Sequence, residues 1–133
     1  MDKIFKNHYP YFKKVLASKN TFLVPGCHDP LSAKLIEKEK FKFIFIGGFA
    51  LSSGQYGYPD AGLITLSELA NSTRKIQRST NVPCIVDADT GFGGTINIYR
   101  TVRELADIGV AALIIEDQEF PKKCALTEKV KIL

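Results

Sequence analysis

Cys84-Ile85-Val86-Asp87-Ala88-Asp89-Thr90-Gly91-Phe92-Gly93-Gly94 decides how this chain folds: a short apolar run breaks into acidic residues and then into glycines. The apolar part is nearly continuous rather than alternating, as expected of a parallel strand covered on both faces. Three further runs, residues 21–24, 43–46 and 112–115, have the same character, and glycine, proline or acidic residues follow each.

Helical patterns separate the runs. Asp29-Pro30 reads as an N-cap with proline at the first helical position, opening a helix to about Glu37. Thr65-Leu66-Ser67-Glu68 is a capping box, after which Leu66, Leu69, Ala70, Thr73 and Ile76 share a helical face. A third helix, capped near Thr95, places Ile98, Val102, Leu105 and Ala106 on one face and stops at Gly109. Residues 9–18 form a leading helix outside the repeat. The order helix, then β-α-β-α-β-α-β, predicts a parallel α/β sheet, either doubly wound or a (β/α) barrel. Pro25-Gly26-Cys27-His28-Asp29 follows the first run where a dinucleotide fold would carry G-x-G-x-x-G.

Composition bounds the partners. The 133 residues are 45% hydrophobic and 24% charged, enough for one domain with a core, and no linker or repeat divides them. The net charge of +4 is dispersed, which describes solvated lysines rather than a nucleic-acid footprint. No apolar stretch reaches the roughly 18 residues of a membrane span, and the polar, aromatic N-terminus has no signal-peptide pattern. Cys27, Cys84 and Cys124 are odd in number and lack metal-ligand spacing, so free thiols in a reducing compartment are expected. That compartment is the cytoplasm, with the mitochondrial matrix as the alternative.

The chemistry-bearing residues gather after the strands, where parallel α/β folds place their ligands. Gly47-Gly48 ends the second run, Asp87 and Asp89 follow the third, and Glu116-Asp117-Gln118 follow the fourth. Asp87, Asp89 and Glu116 make a hard, all-oxygen set suited to magnesium; the alternative is that the aspartates cap the following loop. Gly91-Phe92-Gly93-Gly94 would let backbone approach an anion, or would simply permit a tight turn. Lys122 and Lys123, immediately before Cys124, favour a thiolate there, which could then act as general acid or base. Cys27 and Cys84 read as packing residues, and His28 as a support of the first turn.

Taken together, residues 24–35, Gly57-Tyr58-Pro59-Asp60, residues 86–93, Arg100-Thr101-Val102-Arg103-Glu104-Leu105, Ile115-Glu116-Asp117-Gln118 and Phe120-Pro121-Lys122-Lys123-Cys124 resemble the isocitrate lyase and phosphoenolpyruvate mutase superfamily. The last segment is similar to the catalytic loop of its methylisocitrate lyase branch. The resemblance implies a (β/α)8 TIM-type barrel, a homotetramer, and magnesium (manganese as the alternative) held largely through water by Asp60, Asp87, Asp89 and Glu116. It implies a small carboxylate substrate against Gly47, Gly48, Asp60 and Asp87, and cleavage of a carbon–carbon bond, as of 2-methylisocitrate to pyruvate and succinate. Cys124 would protonate the departing carbanion, with Lys122 beside it. Lacking that thiol, the phosphonate mutases and hydrolases are the second choice.

Two stretches depart from the pattern. Phe45-Ile46-Gly47-Gly48-Phe49 stands where the branch has Tyr-Leu-Ser-Gly-Gly, and Ala125-Leu126 where it has Gly-His. Residues 125–133 read as a divergent tail. A closed barrel needs eight strands and roughly 250 residues, so residues 1–133 are expected to form a single half-barrel domain of about four βα units, catalytically weak or inactive alone.

Overall fold

The computed structural model describes residues 8–124 and 129–133. Helix α1 (Tyr9–Leu16) leads, followed by α2 (Pro30–Lys38), strand β1 (Ile44–Ile46), α3 (Gly48–Tyr56), α4 (Leu66–Ser79), β2 (Cys84–Asp87), α5 (Thr95–Ile108) and β3 (Ala112–Ile114). The strands form one parallel sheet in the order β1-β2-β3, with Ile46 opposite Val86 and Val86 opposite Leu113. This is an open α/β sheet of partial-barrel type, not a closed barrel.

Two predicted helix starts are realised by their own caps. The Asp29 carboxylate accepts from the amides of Leu31 and Ser32, and both halves of the Thr65–Glu68 capping box are made. Each cap satisfies amides that the first helical turn leaves without a backbone partner. Ile44, Ile46 and Val86 from the sheet meet Leu51, Leu69, Ile76 and Leu105 from the helices in one core. Burying each such side chain contributes about 1.5–3 kcal/mol before conformational entropy is subtracted.

Three expectations need correction. The run at 21–24 is not a strand: the chain beyond it touches the sheet only through an isolated bridge from Gly26 to Phe45. Cys27 N–H donates to the Phe45 carbonyl, and Phe45 N–H to that of Pro25, so the chain crosses the β1 edge for two bonds and leaves. Three strands, not four, are therefore present among the described residues. The buried face of α5 is Thr101, Leu105 and Ile108, while Val102 and Ala106 face outward. Finally, β3 is an edge strand and not covered on both faces; Ile114 is 45% exposed.

Helix α3 has no amphipathic signature and was not expected. It starts directly after β1, buries Leu51, and ends where Gly57 turns left-handed at φ 67°. A β-carbon at Gly54 would lie 2.8 Å from the His28 ring, so glycine lets α3 approach the turn ahead of α2. His28 thus supports that turn, as expected, and its carbonyl accepts from the Gln55 amide. Of the divergent tail, residues 125–128 lie outside the described residues. Residues 131–133 run antiparallel to 117–119, with a bridge between Gln118 and Ile132.

Candidate functional site

The carboxyl ends of β1 and β2 lie side by side, so the residues that follow each strand meet. Gly47 caps α3, and the Gly48 amide donates to the Asp87 carboxylate at 3.2 Å. The other Asp87 oxygen accepts the Asp89 amide at 3.1 Å, drawing the chain into a tight turn. Asp89 accordingly has φ 48°, a left-handed conformation that aspartate tolerates better than most residues. A β-carbon on Gly48 would stand 2.8 Å from Asp89 Oδ1, 3.4 Å from Lys122 Nζ and 3.5 Å from Asp87 Oδ2. Glycine is needed there because the charged groups crowd against its α-carbon.

Lys122 supplies the positive charge of this cluster. Its Nζ lies 2.5 Å from Asp89 Oδ1 and 2.8 Å from Asp60 Oδ1. Lys122 and Asp89 are each only 4% exposed. Burial alone would lower the lysine's affinity for its proton, but the bonds and charge of Asp60 and Asp89 outweigh it and hold the ammonium well above the ordinary lysine value. One ammonium faces Asp60, Asp87 and Asp89, so negative charge is in excess. Burial first, with the charges of Asp87 and Asp60 added, pushes Asp89 up to about 6 despite its bond to Lys122.

Glu116 joins the rim through its backbone: its amide donates to the Asp89 carbonyl at 2.8 Å. Its side chain accepts from Gln118 Nε2 at 2.5 Å. Gln118, named in the sequence only as part of the acidic strand end and given no role there, is buried. Its amide group donates to the Lys123 carbonyl and accepts the Lys123 N–H, closing the 118–123 loop upon itself. The signal was present, since Gln118 follows Glu116 at a spacing of two beyond a strand. Nothing local, however, indicates that its partner is the backbone of the loop.

Cys124 is half-buried and directly follows this loop, whereas Cys27 and Cys84 are buried packing residues. The Lys122 ammonium, expected beside Cys124, is directed instead to Asp60 and Asp89. The glycine run serves the turn: at Gly91, φ is +88° and a β-carbon would lie 2.5 Å from Ile98. Alongside opens a cleft of about 330 Å³ lined in part by Leu63, Phe92, Asn97 and Phe120.

Oxygens of Asp60 and Asp89 converge on a single positive centre, the Lys122 ammonium, and this all-oxygen, anionic set is of the donor type that divalent cations take. Among the described residues no group of three or more His, Cys, Asp or Glu side chains forms a ready-made metal cage. Magnesium commonly takes only one or two carboxylates and keeps its waters.

Comparison with known proteins adds the following. The family profile for phosphoenolpyruvate phosphomutase matches residues 12–132. The chain is 48% identical over 112 residues to a 2-methylisocitrate lyase of Aeropyrum pernix, covering 84% of this chain and 36% of that protein. It is 41% identical over 112 residues to a 2,3-dimethylmalate lyase of Eubacterium barkeri, covering 84% and 39%. The crystal structure of a phosphoenolpyruvate phosphomutase from Streptomyces platensis subsp. rosaceus superposes with a TM-score of 0.87 at 31% identity, over 93% of this chain and 43% of that one. The chain thus spans well under half the length of these relatives.

Proposed function

The chain belongs to the phosphoenolpyruvate phosphomutase family, and from that premise we propose that it carries the cation-binding and thiol-bearing part of a carbon–carbon lyase site. The substrate class is a small 2-hydroxy-polycarboxylate, with 2-methylisocitrate, cleaved to pyruvate and succinate, as the first candidate. The observation that carries this reading is the convergence of Asp87, Asp89 and Lys122 against Gly48, with Asp60 on the same ammonium and Cys124 two residues beyond Lys122.

Asp60, Asp87, Asp89 and Glu116 are the residues that would hold magnesium or manganese, Glu116 after exchanging its bond to Gln118. When bound, such an ion supplies positive charge for the carbonyl oxygen that develops as the bond breaks. Gly47 and Gly48 are the backbone positions that would face substrate, Gly48 only after Lys122, whose Nζ now lies where a Gly48 β-carbon would point, has moved away. In this proposal the Cys124 thiol gives a proton to the departing carbanion, and Lys122 binds a substrate carboxylate once it leaves the aspartates. Self-association into a homo-oligomer, a tetramer in the whole protein, belongs to the same proposal.

A second reading, binding of metal and carboxylate without turnover, is favoured by the open sheet, whose three strands offer only part of a barrel rim. One experiment separates the two. The purified chain is incubated with Mg2+ or Mn2+ and 2-methylisocitrate, isocitrate, 2,3-dimethylmalate or phosphonopyruvate, and products are followed by proton and phosphorus NMR. The lyase reading expects succinate and pyruvate from 2-methylisocitrate, lost on chelation, in Asp87→Asn and in Cys124→Ser. Metal binding without product supports the second reading, and phosphonopyruvate as the sole substrate would replace the lyase with a phosphonate enzyme.

A further inference from the structure

The cation held by the carboxylates in this structure is part of the chain itself. Lys122 Nζ reaches both Asp60 and Asp89, and the lysine stem packs over Gly62, where a β-carbon would stand 3.4 Å from Lys122 Cγ. The loop that bears it is closed by the two-way bonding of Gln118 with the Lys123 backbone, and the 117–119 segment is tied to 131–133. Lys122 is therefore a buried charge on a self-contained turn, bound to the rim through two ionic contacts.

We propose that Lys122 is an internal competitor for the divalent cation: its ammonium occupies the Asp60–Asp89 position in the metal-free chain, and a bound metal ion displaces it and frees the 120–124 segment from the rim. The proposal rests on the reading of these carboxylates as a metal site. Its physical basis is that two positive charges cannot share the same pair of oxygens without strong repulsion where water is scarce. A metal ion drawn to Asp60 and Asp89, directly or through its waters, would compete with the ammonium that Asp60 Oδ1 and Asp89 Oδ1 already hold. Metal binding would thereby become the signal that releases Lys122 toward a substrate carboxylate and moves Cys124 with it. In the metal-free chain the ammonium limits the cost of leaving buried carboxylates without a counter-charge.

The test uses the full chain and Mn2+ alone as the probe. Lysines are acetylated with an N-hydroxysuccinimide ester in brief pulses, and the rate at each is read by mass spectrometry across a Mn2+ titration. Exposed Lys75 serves as the internal reference. Lys122 should label at least about tenfold more slowly than Lys75 without metal and gain about fivefold at saturating Mn2+, a change in open population that a ligand-driven shift readily produces. Lys75 should not change. In parallel, Mn2+ binding is measured calorimetrically for the wild type and for Lys122→Met, with circular dichroism to establish that the variant folds. Removing the competitor should tighten binding by about tenfold.

Mn2+ binding that leaves Lys122 protected overturns the proposal while the metal reading stands, as does equal or weaker binding by a folded Lys122→Met. No Mn2+ binding by either chain overturns both. If the variant does not fold, the wild-type labelling decides alone.

Discussion

Nζ of Lys122 stands 2.5 Å from Oδ1 of Asp89 although 33 residues separate them, and both side chains are buried at the carboxyl rim of the sheet. Asp60 and Asp87 crowd the same position, so the folded state confines more negative than positive charge. Such an arrangement works against folding and favours a ligand that brings positive charge.

The first consequence is a dependence on pH. Burial raises Asp89 from 3.8 in a free side chain to about 6. Between those values the folded chain binds more protons than the unfolded one, so stability falls as pH rises through the window, and the full cost is present above it. Relative to Asp89→Asn, the metal-free wild type should lose about 2 kcal/mol between pH 4.5 and pH 7. Urea denaturation of both chains at the two pH values measures it; a difference of the opposite sign refutes the charge assignment.

Gly48→Ala tests how closely the charges approach the backbone. Its new methyl group would press on Asp89 Oδ1 at 2.8 Å and on Lys122 and Asp87 just beyond. Overpacking of this kind costs about 1–3 kcal/mol, read as a lowered urea midpoint with an unchanged slope. Unchanged stability would mean that the cluster can relax away from α3.

The thiols should divide two to one. Burial pushes Cys84 up to about 12 and also raises Cys27, whereas Cys124 is half-buried. At pH 8 the thiolate fraction of Cys84 is roughly 1,000-fold below that of a thiol at the ordinary value. A chromogenic disulfide should therefore modify Cys124 rapidly in the native chain and all three cysteines after denaturation. Rapid native modification at Cys84 would contradict the packing.

Asp29→Ala should cost about 1 kcal/mol by removing the cap of α2. Hydrogen bonds from Ser32 lead in lowering the pKa of this carboxylate. Its contribution is thus fully present above the unfolded aspartate value and is lost as pH falls through the lower folded one. The destabilisation by Asp29→Ala, measured by thermal unfolding, should accordingly shrink in strong acid.

What the sequence determined by itself is whatever depends on neighbours a few residues away. Asp29-Pro30 and the Thr65–Glu68 box start their helices because donor and acceptor lie within one turn, and Gly109 stops α5 for the same reason. Apolar runs followed by acid or glycine located three parallel strands and the rim that collects Asp87, Asp89 and Glu116. Other features were settled only when distant segments packed. Residues 21–24 have strand character, yet the chain makes only a brief bridge beside β1; α3 forms without an amphipathic pattern because β1 delivers it against the core. Lys122 reads locally as the neighbour of a cysteine, but its charge goes where the fold places Asp60 and Asp89. A buried ammonium takes the nearest carboxylates in space, and spatial proximity between remote residues is a property of the assembled sheet rather than of sequence spacing.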